Sequence, residues 1–249
     1  MEIALLTALG VGGATIIGAV IGVFIVRISH KINDLLLGFA AGVMLCAAVL
    51  GLILPSMEGG DIFITIIGIL CGAVLLHLID IFTPHLHGLN PSLEEKHPKS
   101  NQKLDKIFLF VIAIAIHNFP EGVAAGVGFG SGNTIGGLTI AIGIALQNIP
   151  EGMIIIAPML AKGISKKKAF LIASLTGVIE IVGTVIGYFA VTISKIILPF
   201  ALAFAGGTML YIISDEMIPE THAHGNERLS TYALLFGFCL MLLMDFFIG

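Results

Sequence analysis

Two stretches of this chain, "IAIHNFPEGV" around His117 and "IALQNIPEGM" around Gln147, set an imidazole or amide, an Asn, a Pro and a Glu inside otherwise apolar sequence. Their spacing is chemical. His117 and Glu121 are four residues apart, as are Gln147 and Glu151, so each pair shares one helix face. Asn118 and Asn148 each precede their glutamate by three residues and fall on the adjoining edge of that face. Each glutamate can therefore serve two neighbours at once. A third acid, Glu180 in "TGVIEIVG", lies in another apolar run. A central acid costs about 2.5–3.5 kcal/mol to insert into a membrane, so three cost roughly 8–10 kcal/mol unless something offsets them. A single such residue reads best as hydrogen-bonded glue between helices. Two matched motifs plus Glu180, with no Lys or Arg in the same stretches, point instead to positive charge brought from outside. One imidazole, several carboxylates and amide oxygens, with no thiolate, suit Zn²⁺, Cd²⁺, Mn²⁺ or Fe²⁺ and argue against copper(I). Shared carboxylates leave room for two adjacent ions.

The elements that position these residues are membrane-spanning. The chain has 249 residues, 57% hydrophobic and only 11% charged, where an ordinary domain carries about a quarter charged residues; its mean hydropathy is +1.07. Residues 3–26 carry no charge, enough to cross a hydrocarbon core of roughly 30 Å. That run is too long for a cleaved leader and no Lys or Arg precedes it, so it is expected to span. Hydropathy and Gly, Pro, Ser and Asn punctuation predict helices near 3–27, 34–55, 61–83, 105–130, 134–160, 168–191, 196–219 and 230–248. The expectation is an all-α polytopic membrane protein of eight transmembrane helices. It forms a single transmembrane domain over 1–249, with a long polar loop at 84–104 between the third and fourth helices. Eleven of the twelve Lys and Arg cluster on the odd-numbered loops, Lys195 being the exception. Positive residues stay cytoplasmic, so both termini should be extracytoplasmic and the 84–104 loop cytoplasmic.

Glu121 and Glu151 then sit ~25 Å along consecutive, oppositely running helices, the relation that inverted repeats produce. Pro120 and Pro150 should kink those helices. The pairs Gly18/Gly22, Gly38/Gly42, Gly68/Gly72, Gly122/Gly126 and Gly183/Gly187 should let helix backbones approach closely. Cys46, Cys71 and Cys239 lack paired spacing and are expected to be small core residues, without disulfides or a thiolate site. No basic stretch carries the pattern of a nucleic-acid surface.

Further polar residues gather toward the side assigned as cytoplasmic. Asp80 ends the third helix, His85 and His87 follow, and Asp215, Glu216 and Glu220 approach the end of the seventh, with His222 and His224 beyond. Asp80, His85, His87 and Glu216 form a candidate exit for an ion leaving the centre, although surface charges and histidines are more often simply solvated. His77 is expected to be a hydrogen-bonded core residue, and Asp245 has no assigned role.

At the two P-E-G motifs the chain resembles the ZIP (Zrt/Irt-like) divalent metal transporters, in particular their bacterial GufA-like branch. The resemblance extends over essentially the whole chain. It implies uptake of a divalent metal, usually Zn²⁺, into the cytoplasm through a binuclear centre in a cell (inner) membrane. One position would draw on His117, Glu121, Gln147 and Glu151, with Met44 as a possible thioether neighbour. The other would draw on Asn118, Glu121, Asn148, Glu151 and Glu180. Many relatives carry His at the place of Gln147 and some an acid at that of Asn148, so this chain's centre is less charged and less soft. The family also implies metal-binding His in the cytoplasmic loop, an acid near the end of the seventh helix, and a homodimer. Helices 1, 4, 5 and 6 would move as a carrier against the other four. The metal is then substrate, not cofactor; no cofactor and no enzymatic activity are expected. A proton-coupled carrier of another solute and an intramembrane metalloenzyme are the alternatives, and the second lacks an H-E-x-x-H motif.

Overall fold

The computed structural model describes residues 2–25, 29–82, 118–161, 163–193 and 195–248. Its helices are α1 (Glu2–Phe24), α2 (His30–Gly59), α3 (Ile62–Phe82), α4 (118–130), α5 (Thr134–Ala161), α6 (Lys166–Ile193), α7 (Leu198–Thr221) and α8 (Glu227–Ile248). No strand occurs among the described residues. Seven helices there are long and apolar enough to cross a bilayer. The all-helical, multi-pass membrane architecture expected from composition is what the chain forms. His85, His87 and His117, and the loop 84–104, lie outside the described residues, as does the side chain of Asp80.

The largest boundary correction is α2, expected at 34–55. It starts at His30 because Ser29 caps it, its Oγ accepting the Ile32 N–H at 3.3 Å. It also continues past Pro55 to Gly59. Proline lacks an N–H and crowds the carbonyl four residues back. The ladder relaxes by widening to a π-helix over Ala47–Ile53, where the Leu54 N–H reaches the Val49 carbonyl. The same device precedes Pro219 in α7, where Ile213–Met217 is π-helical and the Ile218 N–H reaches the Ile213 carbonyl. In α5 the α-helix runs on through Pro150.

Without a hydrophobic force between helices in lipid, small residues decide which backbones meet. All five predicted glycine pairs lie at such contacts. Gly18 and Gly22 of α1 abut the Ile149 and Met153 carbonyls of α5, and Gly122 and Gly126 of α4 abut the Glu180 and Thr184 carbonyls of α6. Gly183 and Gly187 of α6 return the contact to α4, and Gly12 meets Gly177 between α1 and α6. A second set forms elsewhere: Gly38 and Gly42 of α2 abut Ser230 and Leu234 of α8, and Gly68 and Gly72 of α3 abut Phe200 and Phe204 of α7. Backbone contacts thus bind α1, α4, α5 and α6 together, and separately join α2 to α8 and α3 to α7. Between α5 and the second set, the atoms nearest Gly51 belong to the Ile140 side chain, and those nearest Gly143 to the side chains of Met241 and Val43.

Two smaller expectations change, and one burial was not anticipated. Cys46 is buried, but Cys71 and Cys239 are exposed on α3 and α8; all three are free thiols. Those two helices present much of the apolar outer surface, where a small thiol costs little. His77 is exposed rather than core, with Nδ1 3.1 Å from the Tyr211 hydroxyl of α7. Asp34, the first residue of the predicted second helix, is wholly buried. It accepts from His224 Nδ1 at 3.0 Å and Asn226 Nδ2 at 2.9 Å, fastening the start of α2 to the α7–α8 connection.

Candidate functional site: a buried carboxylate and amide centre

The centre is built by the glycines that follow its glutamates. Gly122 lets the α4 backbone reach the Glu180 carbonyl, which sets Glu121 beside α6. Gly152 does the same for α5 against the Thr15 carbonyl of α1, which sets Glu151 beside α1. The two P-E-G motifs therefore dock in corresponding ways on two different partners.

Asn118, Glu121, Gln147, Asn148, Glu151 and Glu180 are all buried. Their contacts fall into two groups. In the first, Gln147 Nε2 donates to Glu121 Oε1 at 2.9 Å, joining α5 to α4. In the second, Glu180 is the hub. Its Oε1 accepts from Asn118 Nδ2 and from the Thr15 hydroxyl, the latter at 2.7 Å, and its Oε2 accepts from Asn148 Nδ2 at 2.5 Å. Asn148 Nδ2 also reaches the Val11 carbonyl of α1 at 3.2 Å. Glu121 and Glu151 both lie within electrostatic reach of Glu180.

The orientation of the amides is informative. Each gives its NH₂ to a carboxylate. Asn118 Oδ1, Gln147 Oε1 and Asn148 Oδ1 are left buried without a hydrogen-bond donor. Buried polar atoms are normally paired, and an exception calls for an ion, water or other group. Three amide oxygens without donors beside three acids, with no Lys or Arg anywhere in 118–161, form an environment that attracts cations. Among the described residues no group of three His, Cys, Asp or Glu converges as a closed metal cage. The oxygens here come from amides as much as from acids, and His117 lies outside that description.

Other candidates are placed as follows. Met44 is wholly buried in the main apolar core, in the same cluster as Ala124, Ala125 and Ile144. Glu216 is half-buried in the π-helical turn of α7, Asp215 is exposed there, and His222 is exposed beyond it. His30 stacks on His224 with ring centroids 4.4 Å apart and planes 27° apart. Nearly parallel rings do not aim their lone pairs at one point, so this pair is read as part of the Asp34 fastening. The Asp80 side chain, His85 and His87 lie outside the described residues.

Thr15 and Val11 were missed by sequence reasoning. A signal existed: Thr15 is the hydroxyl on the face that carries Gly12, Gly18 and Gly22, at helical spacing. A glycine stripe marks the face that meets another helix, so a polar residue on it is aimed inward.

Comparison with known proteins identifies the family. A family profile described as "ZIP Zinc transporter" matches residues 83–245. The chain is 38% identical, over all of its length and all of the relative's, to "Zinc transporter GufA" of Myxococcus xanthus. It is 34% identical to "Zinc transporter ZIPB" of Bordetella bronchiseptica, over 95% of this chain and 78% of that protein. To "Zinc transporter ZupT" of Chlorobaculum parvum it is 35% identical, over 92% of this chain and 91% of that one.

Proposed function

The chain belongs to the ZIP zinc transporter family, and from that premise we propose that it carries divalent metal cations, zinc foremost, into the cytoplasm through the buried centre of α1, α4, α5 and α6. The observation that carries this reading is the set of three buried acids, Glu121, Glu151 and Glu180, beside three amides that donate to Glu121 and Glu180 and keep their own carbonyl oxygens without donors. Neutral donors lessen the cost of burying a carboxylate but leave its charge in place; a dication removes it.

In this reading His117, Glu121, Gln147 and Glu151 hold one ion, with Met44 at its edge. Asn118, Asn148 and Glu180 complete a second position that shares the two motif glutamates. Asp80, His85, His87 and Glu216 receive the ion on the cytoplasmic side. Eight crossings with both termini outward follow from adding α4 to the seven apolar helices and from the distribution of Lys and Arg. Movement of α1, α4, α5 and α6 as one body against the other four is supported by their backbone-to-backbone packing. We place the protein as a homodimer in a cell (inner) membrane.

Reconstitution tests the reading. Proteoliposomes loaded with a zinc-sensitive dye should take up external Zn²⁺ faster than protein-free vesicles, with Cd²⁺ competing and K⁺ not. Uptake equal to that of empty vesicles, or insensitivity to competing divalent ions, would overturn it.

A further inference from the structure

α6 and α7 follow one another in the chain, joined by a short connection that ends in the 3₁₀ turn Lys195–Ile197. Consecutive antiparallel helices joined so briefly usually pack along their length. Here an open cleft lies between them, which the described part of α4 lines without filling. Its volume is about 330 Å³, and it is lined by Val123 and Val127 of α4, Ile186 and Ala190 of α6, and Phe200 and Phe204 of α7, among others.

Three features say what belongs in it. First, its surface is almost wholly apolar, so ordered water would find no partners there. Second, the cleft opens onto the outer surface of the bundle. Ile186 and Phe200 on its rim are exposed, as are Val182, Phe189, Ile193 and Ile196 beside it. All but Ile196 lie in helices long and apolar enough to be embedded. Third, an empty gap of this size would deny its lining the dispersion contacts that a packed interior supplies. The molecule present at this depth, apolar and narrow enough to enter from the side, is a hydrocarbon chain.

We propose that this cleft is a binding site for one acyl chain of a bilayer phospholipid, held between Phe200 and Phe204 on one side and the small surface of Gly187 and Ala190 on the other. The site lies on the seam between the two glycine-packed sets, α4 and α6 belonging to one and α7 to the other. A chain bound there completes the packing that protein side chains leave open, and any sliding of α4 and α6 past α7 passes over hydrocarbon rather than interlocked side chains.

Photolabelling tests this without reference to transport. The full chain is reconstituted in vesicles containing a phospholipid with a diazirine on one acyl chain, irradiated, and mapped by mass spectrometry. Labelling at Val123, Val127, Phe200 and Phe204 should exceed by several-fold that on the exposed α3 face with Phe63, Ile67 and Leu70, which offers apolar surface without a cleft. Ala190→Phe and Ala201→Phe should lower seam labelling to the α3 level and leave α3 labelling unchanged. If neither variant inserts, Phe204→Ala, which widens the cleft, should raise it. Even labelling of seam and α3, or seam labelling that ignores both the filling and the widening substitutions, would overturn the proposal.

Discussion

Replacing Thr15 by Val removes one hydroxyl from the centre and little else. Thr15 and Glu180 are both wholly buried, so water does not take over the 2.7 Å hydrogen bond to Glu180 Oε1. A hydrogen bond to a charged group contributes about 1.5–3 kcal/mol. Two further donors, Asn118 and Asn148, still hold the same carboxylate, so the acid stays in place while its orientation loosens. Substitution of such outer partners typically costs about 10- to 100-fold in metal affinity, which agrees with that energy at roughly 1.4 kcal/mol per decade. Zinc affinity of the purified protein, measured by competition with a chelating dye, should therefore fall by about one to two decades in Thr15→Val. Thr15→Ser keeps the hydroxyl and should stay close to the parent. Equal affinities for parent and Thr15→Val would refute the reasoning. So would an equal loss in the Ser and Val variants, because the defect would then lie in packing.

Glu121→Ala and Glu151→Ala should each reduce zinc uptake by proteoliposomes to that of empty vesicles while the protein still inserts; uptake near the parent rate in either would remove the shared-ligand role. Gln147→His should shift uptake toward zinc over manganese, because a softer imidazole replaces an amide oxygen. An unchanged competition profile would count against Gln147 as a ligand. Gly152→Ala places a Cβ against the Thr15 carbonyl and the Ala19 nitrogen of α1 and should destabilise the bundle by about 1–3 kcal/mol, read as a lower midpoint of unfolding in detergent. Gly10→Ala meets nothing within 4 Å and should leave the midpoint unchanged or raise it slightly; equal shifts in the two would show that the tight approach is unimportant.

The helices and the centre were legible for different reasons. Membrane spans announce themselves because lipid tolerates few alternatives to an apolar helix. The motif glutamates stood out because acids are so costly at depth. The glycine pairs predicted close contacts correctly, but their spacing does not name the partner. Only three-dimensional packing shows Gly122 against α6 and Gly152 against α1. Thr15 stayed hidden because one hydroxyl in an apolar helix is usually bonded to its own backbone, as Thr184 is to the Glu180 carbonyl. The burial of Asp34 has no local signal in a run that also holds Lys31 and Asn33; it depends on His224 and Asn226, far along the chain. The π-turns before Pro55 and Pro219 replaced an expected stop, since one widened turn costs less in lipid than exposing several unpaired backbone groups.

Why the chain uses amides where acids would bind metal more tightly follows from the same electrostatics. An acid at 147 or 148 would add a fourth buried charge, at a further cost of roughly 2.5–3.5 kcal/mol, felt whenever no ion is bound. Gln147, Asn118 and Asn148 instead donate to the acids already present, holding Glu121 and Glu180 in place. Each keeps a carbonyl oxygen that can turn toward a cation when one arrives. A carrier must be stable both loaded and unloaded, and must release what it binds. On the proposed reading, amides that hold the carboxylates and also offer a carbonyl oxygen to the cation would narrow the energy gap between the loaded and unloaded centre, which favours turnover over tight retention.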